Sequence, residues 1–211
     1  MIDPAGDTLL DVMCSQRACR SYTPEPVPDA VLAAMIEAAS HAPSAENRQP
    51  WVLVVVDDPP VRAAIDDLGR RIWDEGGRVH AEASLLSSFF HEVDQFFQQG
   101  HGGAPRLIVI AADGRDGSDP ALLASSIFPA VQNLLLAASA MGYGSTMTTL
   151  AAQAPAELAK LLDLPAEVLP LAAIPIGRPA RALGPPRRRP VSEIAHRNRF
   201  GAVFDAGAAS C

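Results

Sequence analysis

The chain has 211 residues, enough for one ordinary domain with a full hydrophobic core. Its 48% hydrophobic and 19% charged residues are those of a folding sequence and exclude a disordered tail. The net charge of −7 excludes general nucleic-acid binding, which needs a basic surface.

The N-terminal Met1-Ile2-Asp3-Pro4 has no basic region followed by an apolar core, so no secretory leader is expected. Residues 7–16 read as a short helix leading into a polar cluster, Gln16-Arg17-Ala18-Cys19-Arg20. Residues 21–27, with Pro24 and Pro26, read as extended. Pro28-Asp29 then opens a helix, the acid complementing its N-terminus. Val31, Leu32, Met35, Ile36 and Ala39 share one face, and Pro43 ends the helix. A second polar cluster follows, Ala42-Pro43-Ser44-Ala45-Glu46-Asn47-Arg48-Gln49-Pro50-Trp51.

The apolar run 51–56 reads as a buried strand, closed by Asp57-Asp58-Pro59-Pro60. A helix is expected over 61–73, a second buried strand over 107–111 and a loop over 113–119. Asp119-Pro120 opens a long apolar helix that stops at Gly142. Its length approaches the roughly 20 apolar residues of a bilayer span. Gln132 and Asn133 lie inside it, Pro129 interrupts it and no basic flank follows, so a buried helix is expected. A strand over 143–149, a helix over 155–162 and a strand over 168–176 complete the pattern. Pro170 and Pro175 point to an edge or strand-end position for the last strand. Strands alternate with helices, as in an α+β or α/β chain.

The tail from residue 177 carries Pro179, Pro185, Pro186 and Pro190 and seven of the 17 basic residues. It cannot fold on itself and is expected either to wrap another surface, with Ile194, Phe200, Val203 and Phe204 as anchors, or to stay disordered. Cys14, Cys19 and Cys211 form no paired motif and suit a reducing cytosol better than a disulfide framework.

The two clusters carry the chemistry. Arg17 and Arg20 can converge on one phosphate, where a guanidinium offers forked donors. Arg187-Arg188-Arg189 adds a second cationic source. Ser44, Asn47 and Gln49 can pair with the edge of a heterocycle. Sixteen of the 17 basic residues are Arg, so each arginine alone reads first as a surface residue; the clusters taken together are the signal. Other motifs fail. Met147 replaces the third glycine after Gly142-Tyr143-Gly144, and the pattern follows a helix, against dinucleotide binding. Ser44 and Ser145 lack a nucleophile elbow, and His80, Glu82, His91 and Asp94 match no metal-ligand spacing. In the segment 79–103, Phe89, Phe90, Phe96 and Phe97 fall at helical spacing, either as core or as a substrate lid hinged at Gly100-His101-Gly102-Gly103.

The pattern from Gln16 through Val56 resembles the nitroreductase family of FMN-dependent oxidoreductases. Family members carry an Arg-Arg-Ser-x-Arg-like motif, then Pro-Val-Pro and a helix, then Ala-Pro-Ser-x-x-Asn-x-Gln-Pro-Trp. The likeness continues through Met141-Gly142-Tyr143-Gly144-Ser145-Thr146-Met147-Thr148-Thr149 and Ile174-Pro175-Ile176-Gly177-Arg178-Pro179. It covers most of the chain except roughly 72–104.

The resemblance implies an α+β fold over 1–211, with a mostly antiparallel central sheet flanked by helices. It implies a homodimer exchanging C-terminal arms (178–211), with 79–103 as a variable lid. FMN would be the cofactor, NADH or NADPH the reductant, and a nitroaromatic, quinone or enone the acceptor, in a ping-pong cycle in the cytoplasm. No nucleic-acid, membrane or metal partner is expected. By position, Gln16, Arg17, Ala18 and Arg20 would hold the phosphate and ribityl end, with Arg188 from the tail. Pro43, Ser44, Asn47 and Gln49 would meet the ring and ribityl groups. Thr148 and Thr149 would lie along the other side. No side chain is assigned to catalysis, because the flavin carries the chemistry. Gln16 and Ala18 stand where many members have Arg and Ser, a departure that would lower phosphate affinity unless Arg187 and Arg189 compensate. A member that sequesters flavin without turnover, or a module whose basic tail binds an acidic partner, are the alternative readings.

Overall fold

The computed structural model describes residues 8–204. The expectations for Met1 to Pro4, Asp7 and Cys211 lie outside the described residues. Thr8 opens helix α1 (Leu9–Ser15) with a capping box, exchanging hydrogen bonds with Asp11. Helix α2 (Asp29–Ser40) begins directly after Pro28, and Arg106 donates to its first acid, Asp29. Helix α3 (Pro59–Ile72) runs through a π-turn, Trp73–Gly77, into α4 (Arg78–Ser84). Helix α5 (Ser87–Gln98) and a 3-10 turn, His101–Gly103, follow in the segment read as a lid. Helix α6 (Pro120–Ala140) is capped by Asp119, whose carboxylate accepts from the Ala121 N–H. Helices α7 (Pro155–Leu161) and α8 (Val191–Ile194) are short.

Four strands form one sheet in the order β1 (Trp51–Val56), β2 (Arg106–Asp113), β4 (Val168–Gly177), β3 (Gly144–Ser145), and every pairing is antiparallel. The α+β expectation with an antiparallel sheet is met. Side chains alternate across β2. Ile108, Ile110 and Ala112 face α2 and α6, together with Ile127 and Leu134. Leu107 and Val109 face the opposite layer, with Ile65 of α3 and Leu158 of α7. Both faces are covered, which is why β2 reads as an unbroken apolar run. Burying each such Ile or Leu contributes about 1.5–3 kcal/mol. The long apolar helix α6 lies in this core, with Leu123, Ile127, Val131 and Leu134 buried.

Two strand expectations exchange places. Among the described residues β1 pairs only with β2, and it is half-buried from Trp51 to Val55, so it is the edge. β4, expected at an edge because of its prolines, is interior. Its prolines are accommodated locally. Pro170 sits where the register to β2 slips. Ala173 exchanges both backbone hydrogen bonds with Thr148, so a donor at residue 175 would point the same way, toward residue 146. There the strand expected over 143–149 has already lapsed to a single bridge at Thr148, leaving no ladder for Pro175 to break.

The tail also differs from expectation. Residues 178–180 run beside the 21–23 segment, through Thr23 N–H to Arg178 O and Ala180 N–H to Ser21 O. Residues 195–204 do fold on themselves. Phe204 N–H donates to Ala195 O, and the Arg197 guanidinium sits over the Phe204 ring. Cys14 is disulfide-bonded, against the reduced-thiol reading, whereas Cys19 is free and buried.

Candidate functional site

The first cluster leaves α1 as an irregular loop pinned from several sides. The Cys19 N–H donates to Ser145 O at 3.0 Å, and the Tyr22 hydroxyl donates to Cys19 O at 2.6 Å. A Cβ on Gly144 would lie 2.6 Å from the Cys19 sulfur, so only glycine lets the loop approach the sheet this closely. Burial raises the Cys19 thiol and lifts the Tyr22 phenol well above the usual range, so both stay neutral under the loop.

With the backbone held beneath, Gln16, Arg17, Ala18 and Arg20 open into a cavity of about 380 Å³. The arm supplies Arg187 and Arg188 to the same cavity, and Thr146, Met147 and Phe89 complete its wall. Arg17 reaches across to donate to Gly184 O at 3.1 Å, tying arm to loop. Arg17, Arg187 and Arg188 have no acidic partner among the described residues, whereas Arg48, Arg62, Arg71, Arg106 and Arg115 all do. Three uncompensated guanidiniums around one cavity suit a phosphate dianion, and the donor set therefore fits the phosphate end of FMN. The chain brings together Gln16, Arg17, Ala18, Arg20 and Arg188.

The second cluster lies elsewhere. Pro43, Ser44, Asn47 and Gln49 line neither this cavity nor its neighbours, and their loop is tied instead to the start of α6. Ala45 N–H donates to the Ser126 hydroxyl, and Arg48 pairs with Asp116 at 2.8 Å. The Ser44 hydroxyl accepts from Gln49 N–H at 3.0 Å. Glu46, Asn47 and Gln49 take positive φ values of 52, 54 and 52°, a strained run that leaves Asn47 and Gln49 exposed.

Thr148 is held in the sheet by Ala173, and Thr149 is exposed and outside the cavity; Thr146 and Met147 reach it instead. Of the four phenylalanines, Phe90, Phe96 and Phe97 are buried in a core with Trp73, whose ring stacks on Phe97 at 4.9 Å. Only Phe89 borders the cavity. The run Gly100 to Gly103 does not have the form of a loose hinge. All four residues have positive φ, and His101 is 1% exposed, bound to Asp66 at 2.5 Å. A Cβ on Gly102 would lie 2.2 Å from Arg20 O, so this turn is pressed against the arginine loop. Sequence reading passed over Glu92, which meets the same loop from α5, and Arg181, which reaches Glu92 from the arm; only their charge, and the helical spacing of Glu92 with Phe89, hinted at it. Among the described residues no group of three or more His, Cys, Asp or Glu is arranged to hold a metal ion.

Comparison with known proteins adds to this geometry. The sequence model of the Nitroreductase family matches residues 15–178. An NADH dehydrogenase of Thermus thermophilus is 29% identical over 188 residues, covering 85% of this chain and 90% of the relative. An FMN reductase [NAD(P)H] of Bacillus subtilis is 27% identical over 193 residues, covering 89% and 72%. A structure from Desulfovibrio desulfuricans in complex with FMN superposes with a TM-score of 0.69 at 28% identity, covering 92% of this chain and 99% of that one.

Proposed function

Because the chain belongs to the nitroreductase family, we propose that it is an FMN-dependent NAD(P)H oxidoreductase that passes electrons to a nitroaromatic, quinone or enone acceptor. The observation that carries this reading is the convergence of Gln16, Arg17, Ala18, Arg20, Arg187 and Arg188 on one cavity, with three guanidiniums lacking an acid. When bound, FMN supplies the electron transfer between reductant and acceptor, which take turns at the site. The chain's own work is to bind and orient. Arg17 and Arg188 neutralise the phosphate, with Arg20 on the loop beside them. Thr146 and Met147 shape the wall, and Phe89 covers one side.

A homodimer completes the site in this proposal. Ser44, Asn47 and Gln49 lie apart from the arginine cavity of their own chain, so a partner would bring them to it. Exposed apolar residues support an exchanged arm: Phe200 is 94% exposed, Ile194 and Val203 each 55%. Helix α1 adds Leu9, Leu10 and Met13, exposed on its surface.

The test is the visible spectrum of the purified protein, followed by anaerobic titration with NADH and NADPH. Bound flavin that bleaches on titration is expected. Flavin that stays oxidised would assign the chain to flavin sequestration. A colourless protein that takes up no added FMN would overturn the reading altogether.

A further inference from the structure

A second cavity, of about 520 Å³, adjoins the first and shares Arg17, Arg20 and Phe89 with it. Its outer wall is the arm residue Arg181, the α5 residues Glu92 and Gln95, and Gln99 just after that helix. Glu92 bridges two arginines, its Oε1 accepting from Arg20 Nη1 at 3.0 Å and its Oε2 from Arg181 Nη2 at 2.7 Å. The Arg20 guanidinium also lies over the Phe89 ring at 4.8 Å. Two arginines thus hold one carboxylate, with Arg17 lining the same cavity, and that carboxylate marks where an anion sits between two guanidiniums. Arg181 is two-thirds exposed and sits on the arm, so it can follow a ligand.

We infer that this cavity is a second anion-binding site, in which a carboxylate or phosphate on the reductant or acceptor takes the place of Glu92 between Arg181 and Arg20. The cavity volume suits a small aromatic molecule, with Phe89 as its apolar wall. Glu92 is then an internal competitor. It keeps two guanidiniums paired in the empty site and gives them up to an anion that offers the same geometry. Only the use of this site in turnover rests on the FMN reading; anion binding itself rests on the arginine geometry.

The test is calorimetric titration of the FMN-loaded protein with 4-nitrobenzoate and with its uncharged counterpart 4-nitrobenzyl alcohol. The carboxylate is expected to bind and the alcohol not. Arg181→Gln should weaken carboxylate binding roughly tenfold, the usual effect of losing a charge-assisted hydrogen bond, and Glu92→Gln should strengthen it severalfold. Equal binding of both probes, an unchanged affinity in Arg181→Gln, or mutual exclusion of FMN and 4-nitrobenzoate would each overturn the inference. In steady-state assays, a fall in kcat/KM for NADPH but not NADH in Arg181→Gln locates the anion on the reductant. A fall for 4-nitrobenzoate alone locates it on the acceptor. If the protein takes up no FMN, the same titrations on the protein as purified still test the site, so the two readings fail separately.

Discussion

Replacing Gly102 with alanine tests how tightly the left-handed turn holds the arginine loop, and Gly103→Ala is its control. Both glycines have nearly the same backbone, with φ of 68 and 69°. Around Gly103 nothing lies within 4 Å of an added Cβ, whereas at Gly102 that atom falls 2.2 Å from Arg20 O and 3.1 Å from Phe96 Cδ2. Left-handed backbone costs alanine roughly 1–2 kcal/mol, of which about 0.4–1 returns through lower unfolded-state entropy. Gly103→Ala should therefore lose about 1 kcal/mol. Gly102→Ala adds a displaced backbone carbonyl, comparable with overpacking at about 1–3 kcal/mol, and should lose about 3 kcal/mol in all. At about 2–4 °C per kcal/mol for a chain of this size, Tm should fall by roughly 2–4 °C in the control and 6–12 °C in the test variant. Thermal unfolding followed by circular dichroism measures both. Equal Tm values for the two variants would refute the packing argument.

Arg188→Ala should weaken FMN binding by roughly tenfold or more, while Arg70→Ala, whose guanidinium pairs with Asp67 on α3, should leave it unchanged. Flavin fluorescence titration measures both, and equal affinities would remove the arm from the site. Hydrogen bonds from Arg115 hold the Asp113 carboxyl at about 2, below its ordinary 3.8. Its stabilisation is therefore present above pH 3.8 and is lost as pH falls toward 2, so Asp113→Asn should flatten acid unfolding over that window in chemical denaturation. Burial holds the Tyr22 phenol well above 10, so its stabilisation is present below pH 10 and is lost as pH rises past it. Ultraviolet difference spectra should show one phenol ionising only as the chain unfolds, a signal that Tyr22→Phe removes.

Local chemistry was readable wherever one segment decided the outcome. Asp119-Pro120 and Gly142 delimited α6 correctly, and Pro28-Asp29 did the same for the start of α2. Whatever depended on neighbours was not readable. Hydrophobicity could not distinguish β1, whose second partner is missing, from β2, and proline could not reveal that its missing donor meets a gap in β3. The arginine cluster and Arg188 stood out because phosphate chemistry restricts the residue type, and the fold brings them to one cavity. Thr146 and Met147 were overlooked in favour of Thr148 and Thr149, since only the strand register shows which side chains reach the cavity. Phe90, Phe96 and Phe97 share a spacing that fits core and lid alike, and Trp73 decides it by stacking on Phe97. The two clusters, adjacent in sequence, are set apart because α2 carries the chain away to the start of α6.

The two ends of the segment between α3 and β2 are built to opposite standards. At its entrance, the π-turn over Trp73–Gly77 already holds an extra residue per turn, and Gly76 has open space around it. At its exit, Gly100 and Gly102 are fitted against Asp66 and Arg20 with no room for a methyl group. Length changes are thus tolerated upstream and penalised downstream. A chimera that imports another cover for this pocket has a usable splice point near Gly76, whereas its second junction must fall before Gly100, so that the imported piece ends in the host's own turn.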